Sequence, residues 1–277
     1  MMLNGRNHTT IISIDTSKIS AGSSNNTQFN LPIALSGLNL IVDWGDGYTE
    51  LVTGSSMSLH TYSTIGVYTI VIFSRTPFGV SFGNTGDRLK LLEIKRWGML
   101  YASSSFFGCS NLTLDKCEDI PYGELSNNLN NTYRNCSSIT TIANLSLWRF
   151  KPDTSFSGCF YGCSKFNDGG FLKGTLVKAI SFGENFYGCT LFNQDISVVQ
   201  FDKNIDVRNI FFGKSYSNYD AVFYSNFLNK LSTSCVGVGR TFSKQCNAGS
   251  IKYDSTGSAA RAALVADGWS IVDGGLI

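Results

Sequence analysis

Charge is what this sequence has least of. Asp, Glu, Lys and Arg make up only 15% of its 277 residues, against roughly 25% in an ordinary soluble domain. The net charge is +2 and Lys and Arg never cluster, which excludes a phosphate-tracking surface and with it nucleic acid as a partner. Only two histidines and four prolines occur. No apolar run approaches the roughly 18 residues of a membrane-spanning helix, so membrane insertion is not expected. The opening Met1–His8 lacks the apolar stretch of a signal peptide. A mature chain, or one that never enters a secretion channel, is the expectation.

What is present is apolar and uncharged-polar. Hydrophobic residues make up 43% and aromatics 13%, enough for a packed core, which excludes disorder and collagen-like repetition. Asn, Ser, Thr and Gly supply the polarity. That balance suits a mainly β chain.

Residues 1–95 read as strands and turns. Thr10–Ile14, Leu38–Val42 and Val67–Ile72 carry β-branched or alternating apolar residues, separated by Gly/Ser/Asn clusters, the spacing of a β-sandwich. Within Asp43-Trp44-Gly45-Asp46-Gly47, Asp-Gly supplies the positive φ of a tight hairpin turn. Together with His60-Thr61-Tyr62 and Gly66-x-Tyr68-Thr69, this motif resembles the polycystic-kidney-disease-type domain over about residues 10–75. The resemblance implies an immunoglobulin-like sandwich of the kind found in extracellular proteins.

Residues 96–215 repeat. Phe106-Phe107-Gly108-Cys109 returns as Tyr133-Arg134-Asn135-Cys136, Phe160-Tyr161-Gly162-Cys163 and Phe186-Tyr187-Gly188-Cys189, with a decayed Phe211-Phe212-Gly213-Lys214 at the end. The cysteines are spaced by 27, 27 and 26 residues, within the leucine-rich-repeat range. Each coil of a solenoid buries its apolar positions only against neighbouring coils. One aromatic per coil then forms an internal ladder, each ring contributing roughly 1.5–3 kcal/mol. Gly before Cys permits a tight bend, and the small thiol fits where coils approach closely. With Phe192-Asn193-Gln194-Asp195-Ile196-Ser197 and the partial Phe166-Asn167-Asp168, the pattern resembles BspA-type leucine-rich repeats. The second copy departs from it, having Arg134-Asn135 and no Phe-Asn pair. This resemblance implies adhesion or recognition at a cell surface or on a viral particle.

Residues 216–277 read as an α/β cap. Asp220 is a candidate N-cap for a helix with Phe223, Phe227 and Leu231 on one face; Ser258–Ala266 is a second helix stopped by Gly268, and Ser270–Val272 a last strand.

Candidate chemistry is sparse. His8 and His60 have no acidic or cysteine partner at ligand spacing, and His60 is expected to pack in the sandwich. Asp43 and Asp46 resemble a fragment of a calcium loop but lack its spacing and terminal Glu, so a structural turn is expected. Gly237-x-Gly239 lacks the strand and helix of a dinucleotide fingerprint. Sequons such as Asn111-Leu112-Thr113 arise by chance in so Asn-rich a chain. Of eight cysteines, Cys159 and Cys163 form the one close pair; Cys109, Cys136, Cys163 and Cys189 follow the repeat register. Buried free thiols are expected, Cys235 with Cys246 being the best disulfide candidate and zinc having no second CxxC or His pair.

No catalytic, cofactor-binding or metal-binding residue is assigned. The expectation is a non-enzymatic virion-surface protein, such as a phage tail or capsid decoration, with a bacterial cell-surface adhesin as the alternative and an enzyme with an unfamiliar site as the third class. Its partners would be other structural chains, or itself, through the N-terminal sandwich, and a host-surface protein or glycan.

Overall fold

A computed structural model describes residues 8–34, 39–53, 57–122, 128–170 and 178–277. Met1–Asn7, read above for a leader, and Leu38, read as a strand start, lie outside them. The chain is strand-rich with few helices and forms two compact units: Met1–Leu125 with Asn135–Trp148, and Ser126–Arg134 with Arg149–Ile277.

Among the described residues the first unit holds seven strands: β1 (Thr9–Asp15), β2 (Gln28–Leu31), β3 (Asn39–Asp43), β4 (Thr49–Thr53), β5 (Ser58–Thr61), β6 (Val67–Ser74) and β7 (Leu91–Arg96). Five of them form a sheet ordered β4-β3-β6-β1-β7, and β2 pairs with β5 in a separate antiparallel ribbon. Alternation sets the faces. Ile12 and Ile14 of β1, Leu40 and Val42 of β3, and Ile70 and Ile72 of β6 are buried. Phe29 and Leu31 of the ribbon are buried too, and Leu31 lines one apolar interior with Ile12 and Ile72.

A buried ion pair fixes the loop before β2. Lys90 and Asp87 lie 3.3 Å apart with both side chains fully buried. The Lys90 ammonium donates to the carbonyls of Ser24, Asn25 and Gln28. The Asp87 carboxylate accepts from the Ser24 and Asn30 amides and the Ser24 hydroxyl. Burial presses the lysine pKa down, opposed by Asp87, so the ammonium's charge depends on that carboxylate.

Strand β7 has a second role. Glu93 bridges Thr113 in parallel, Leu114 bridges Ile142, and the Cys117 thiol donates to the Ile94 carbonyl at 2.8 Å. The parallel pairings thus include a strand of the antiparallel sheet, β7, which spans residue 95. Phe82 lies 6.5 Å from Phe106 ring to ring, and the Phe82 amide donates to the Ser105 carbonyl. Phe82-Gly83-Asn84 is thus a rung ahead of the first repeat found in the sequence.

In the second unit β8 (Thr154–Ser155), β9 (Ala179–Ser181) and β10 (Phe201–Asp206) pair in parallel in the order β10-β9-β8. Helix α1 (Ala221–Cys235) follows, its N-cap Asp220 accepting from the Val222 amide at 2.8 Å. Its buried face is Tyr224, Phe227, Leu228, Leu231 and Cys235, rotated from the expected face, so that Phe223 is only half-buried. Strand β11 (Gln245–Asn247) pairs in parallel with β12 (Ser270–Val272) across α2 (Ser258–Ala266). Gly268, at φ +89°, ends that helix, an angle that favours glycine.

Candidate functional site

The chemistry-bearing side chains converge on two places, the repeat stack of the second unit and the β3–β4 turn of the first. In the stack, Tyr133 lies 5.7 Å from Phe160, Phe160 6.5 Å from Phe186 and Phe186 6.0 Å from Phe211, with interplanar angles of 15° or less. All four rings are buried. A second column runs beside it, with Phe166 4.1 Å from Phe160 and Phe192 3.9 Å from Phe186. Tyr219 continues that column against Phe211 at 4.7 Å.

The cysteine register has a hydrogen-bonding reason as well as a steric one. In the first unit the Cys136 thiol donates to the Phe106 carbonyl at 3.1 Å. In the second unit Cys163 donates to the Tyr133 carbonyl at 2.9 Å and Cys189 to the Phe160 carbonyl at 2.8 Å. Each thiol thereby satisfies the carbonyl of the ladder aromatic one repeat earlier. At the last copy Lys214 replaces cysteine, and its buried ammonium donates to the Cys189 carbonyl at 2.7 Å. Burial pushes that ammonium down to about 8.

Gly108, Gly162, Gly188 and Gly213 all have φ between +69° and +86°, and Asn135 has +61°. The second copy's Asn for Gly is therefore a substitution that tolerates the left-handed conformation. The Phe-Asn pair forms its own ladder: Asn167 accepts from the Asn193 amide at 2.9 Å, and Asn193 accepts from the Asp220 amide at 2.8 Å. Tyr219-Asp220 is its third member, which sequence reading missed because neither residue is identical to the motif. Asp195 caps the short turn Ile196–Val198 and accepts from Asn226 of α1.

On the outer side Tyr161 stacks on Tyr187 at 4.3 Å and Tyr187 on Phe212 at 4.9 Å. The Arg134 guanidinium covers the Tyr161 ring at 3.7 Å and pairs with Glu184 at 3.6 Å. The departure at Arg134 thus places a cation where the other repeats carry an aromatic. Tyr161 and Tyr187 are half-buried and Phe212 is exposed, so the column is partly open to solvent.

At the β3–β4 turn, Gly45 and Gly47 have φ +83° and +90°. Asp43 accepts from the Gly45 amide and Asp46 from the Tyr48 amide, so both carboxylates serve the turn. Asp46 also bonds His60 Nε2 at 2.7 Å, an acidic partner the sequence spacing did not reveal. Burial works to raise the Asp46 carboxyl, but the bond from His60 and the Tyr48 amide outweigh it and hold it below its ordinary value. The imidazole stacks between Trp44 at 4.8 Å and Tyr48 at 5.5 Å, with Tyr62 edge-on at 4.5 Å. His60 therefore packs inside an aromatic cluster.

The remaining candidates separate. His8 bonds the Ser74 carbonyl, far from His60 in the sequence and on another strand end. Gly237 and Gly239 sit at positive φ in a turn after α1. The Asn111 side-chain amide donates to the Leu89 carbonyl. All eight cysteines are buried and none is joined in a disulfide, Cys235 and Cys246 included, so the best disulfide candidate is not joined. Burial raises the thiols of Cys109, Cys117 and Cys159 and pushes Cys189 and Cys246 up to about 12. Among the described residues, no three His, Cys, Asp or Glu side chains converge as a metal site, and no helix is long and apolar enough to cross a membrane. No family model, curated protein or solved structure matches the chain.

Proposed function

We propose that the protein is a non-enzymatic recognition and structural component of a virion surface, a tail or capsid decoration that binds a receptor protein or glycan. Its architecture on this reading is an immunoglobulin-like sandwich of the polycystic-kidney-disease type at residues 1–95, BspA-like leucine-rich repeats forming a solenoid at residues 96–215, and an α/β cap at residues 216–277. The repeated Phe-x-Gly-Cys column, with its ring stacks and parallel bridges, supports the solenoid. The five-stranded sheet and facing ribbon support the sandwich.

The observation that carries the virion assignment is the thiol chemistry. Eight buried cysteines outside any disulfide, four of them register positions, suit a chain that folds in a reducing cytosol and is assembled there. A secreted adhesin of this size would meet an oxidising compartment with eight thiols to protect. The outer column of Tyr161, Tyr187 and Phe212 offers polar, aromatic contact chemistry of the kind binding loops use. Attachment to other structural chains, or to a second copy, is assigned to the sandwich.

Immunogold labelling with antiserum to the purified chain tests the assignment on gradient-separated particles and on cell envelopes of the source material. Label on particles is expected. Label confined to the envelope overturns the reading in favour of the bacterial cell-surface adhesin.

A further inference from the structure

The five-stranded sheet ends on β4, and among the described residues no strand pairs with its outer edge. Open edges of apolar strands template pairing unless they are blunted by lysine, proline, a bulge or a cover. Thr49-Glu50-Leu51-Val52-Thr53 contains neither lysine nor proline, and its pairing with β3 runs without a bulge. The one charge, Glu50, accepts from the indole of Trp44, in the turn after β3, 3.2 Å away.

An apolar row leads to this edge. In register, Leu51 faces Ile41 and Ile41 faces Phe73. Exposure rises toward the edge, 47% at Ile41 and 61% at Leu51, so the row is least covered where the sheet stops.

We propose that β4 pairs antiparallel with β4 of a second copy about a two-fold axis through Leu51, making one continuous ten-stranded sheet. The strand is self-complementary in that register. Leu51 meets its own symmetry mate, Thr49 meets Thr53, and Glu50 meets Val52, so no carboxylate stands directly opposite another. Cross-strand Thr–Thr and apolar pairs are stabilising at such positions. The apolar row then runs unbroken from Phe73 of one copy to Phe73 of the other. A two-fold contact of this kind is isologous and closes as a dimer, with no continuation into a fibre. Five residues of strand bury less than the roughly 1,200 Å² of a tight complex. The dimer is therefore concentration-dependent in solution and is reinforced where many copies are held on one particle.

The pairing specifies the self-association proposed above and rests on that reading only for the choice of the sandwich as dock. Sedimentation velocity of the full chain, from about 1 µM to about 500 µM, brackets the affinities such a contact allows. A monomer–dimer transition within that range is expected. Leu51→Lys places two ammonium groups face to face at an exposed position and should weaken dimerisation about tenfold or more. Leu51→Glu should do the same, and an equimolar mixture of the two variants should form a heterodimer at least as readily as the unmodified chain dimerises. A chain that stays monomeric throughout, a Leu51→Lys variant that dimerises unchanged, or a mixture that fails to associate overturns the pairing. None of these outcomes bears on whether the protein resides on particles, which immunogold labelling decides separately.

Discussion

Replacing Phe186 with alanine removes the ring at the centre of the second unit's stack. That ring is fully buried, 3.9 Å from Phe192 and within 6.5 Å of both Phe160 and Phe211, centroid to centroid. Its neighbours are themselves held by the ladder, so the space cannot collapse without shifting the rungs on either side. A Phe→Ala change at such a site costs about 3–5 kcal/mol, a large part of the roughly 5–15 kcal/mol by which domains are stable. For a unit of this size, 1 kcal/mol corresponds to about 2–4 °C in Tm, so a fall of about 6–20 °C is expected by circular dichroism. Hydrogen exchange should lose protection in Ser126–Arg134 and Arg149–Ile277, the segments that make up the unit. Tyr187→Ala is the internal comparison. That ring is only half-buried, in the outer column between Tyr161 and Phe212, and its loss should cost about 1 kcal/mol. A Phe186→Ala cost below about 1 kcal/mol, or one equal to that of Tyr187→Ala, would refute the buried ladder as the source of stability.

The other predictions concern the turn, the ion pair and the thiols. A Cβ on Gly45 would lie 2.4 Å from the Thr69 carbonyl oxygen, whereas one on Gly47 meets nothing within 4 Å. Gly47→Ala should therefore cost only the roughly 1 kcal/mol of left-handed strain, and Gly45→Ala at least twice that, as read by urea midpoints. Lys90→Met leaves the Asp87 carboxylate buried without its cation and should cost about 3–5 kcal/mol; a loss below about 1 kcal/mol would show the pair to be dispensable. Raised thiol pKa values mean that the folded chain keeps protons the unfolded chain releases above about pH 8.5. Each thiol raised in this way, those of Cys109, Cys117, Cys159, Cys189, Cys235 and Cys246, thus contributes stability that is complete below that pH and is lost at about 1.4 kcal/mol per pH unit as pH climbs toward the folded values, which reach about 12 at Cys189 and Cys246. Lys214, pushed down to about 8, acts oppositely, since the unfolded lysine holds its proton to higher pH. The thiols outnumber it, so the urea midpoint should fall above about pH 9, and a midpoint that rises there would contradict the burial of the thiols.

The repeats were legible because their constraints are local. Gly before Cys is a left-handed bend, and its Asn135 exception obeys the same rule, so the period could be counted from a single motif. The Asp220 cap and the Ser258–Ala266 helix were legible for the same reason. Where several residue types satisfy one contact, the sequence was silent. Phe82-Gly83-Asn84 fills a rung without cysteine, Tyr219-Asp220 replaces Phe-Asn while keeping both the ring and the backbone amide that donates to the preceding Asn, and Lys214 replaces a thiol donor with an ammonium. Long-range pairs left no mark at all. Asp46 reaches His60 only because β4 and β5 carry the chain away and back, and the Lys90 clamp on Ser24, Asn25 and Gln28 closes over more than 60 residues. The surface carries the least sequence signal, because an exposed edge such as β4 is written in the same alternation as a covered strand.

The most direct test of the central claim is mass spectrometry of gradient-purified particles, with thiols alkylated in denaturant before and after reduction. Particles should carry the chain at fixed stoichiometry to a known structural protein, with all eight cysteines alkylated before any reductant is added. Absence from the particles, or recovery from the cell envelope with cysteines that react only after reduction, would contradict it.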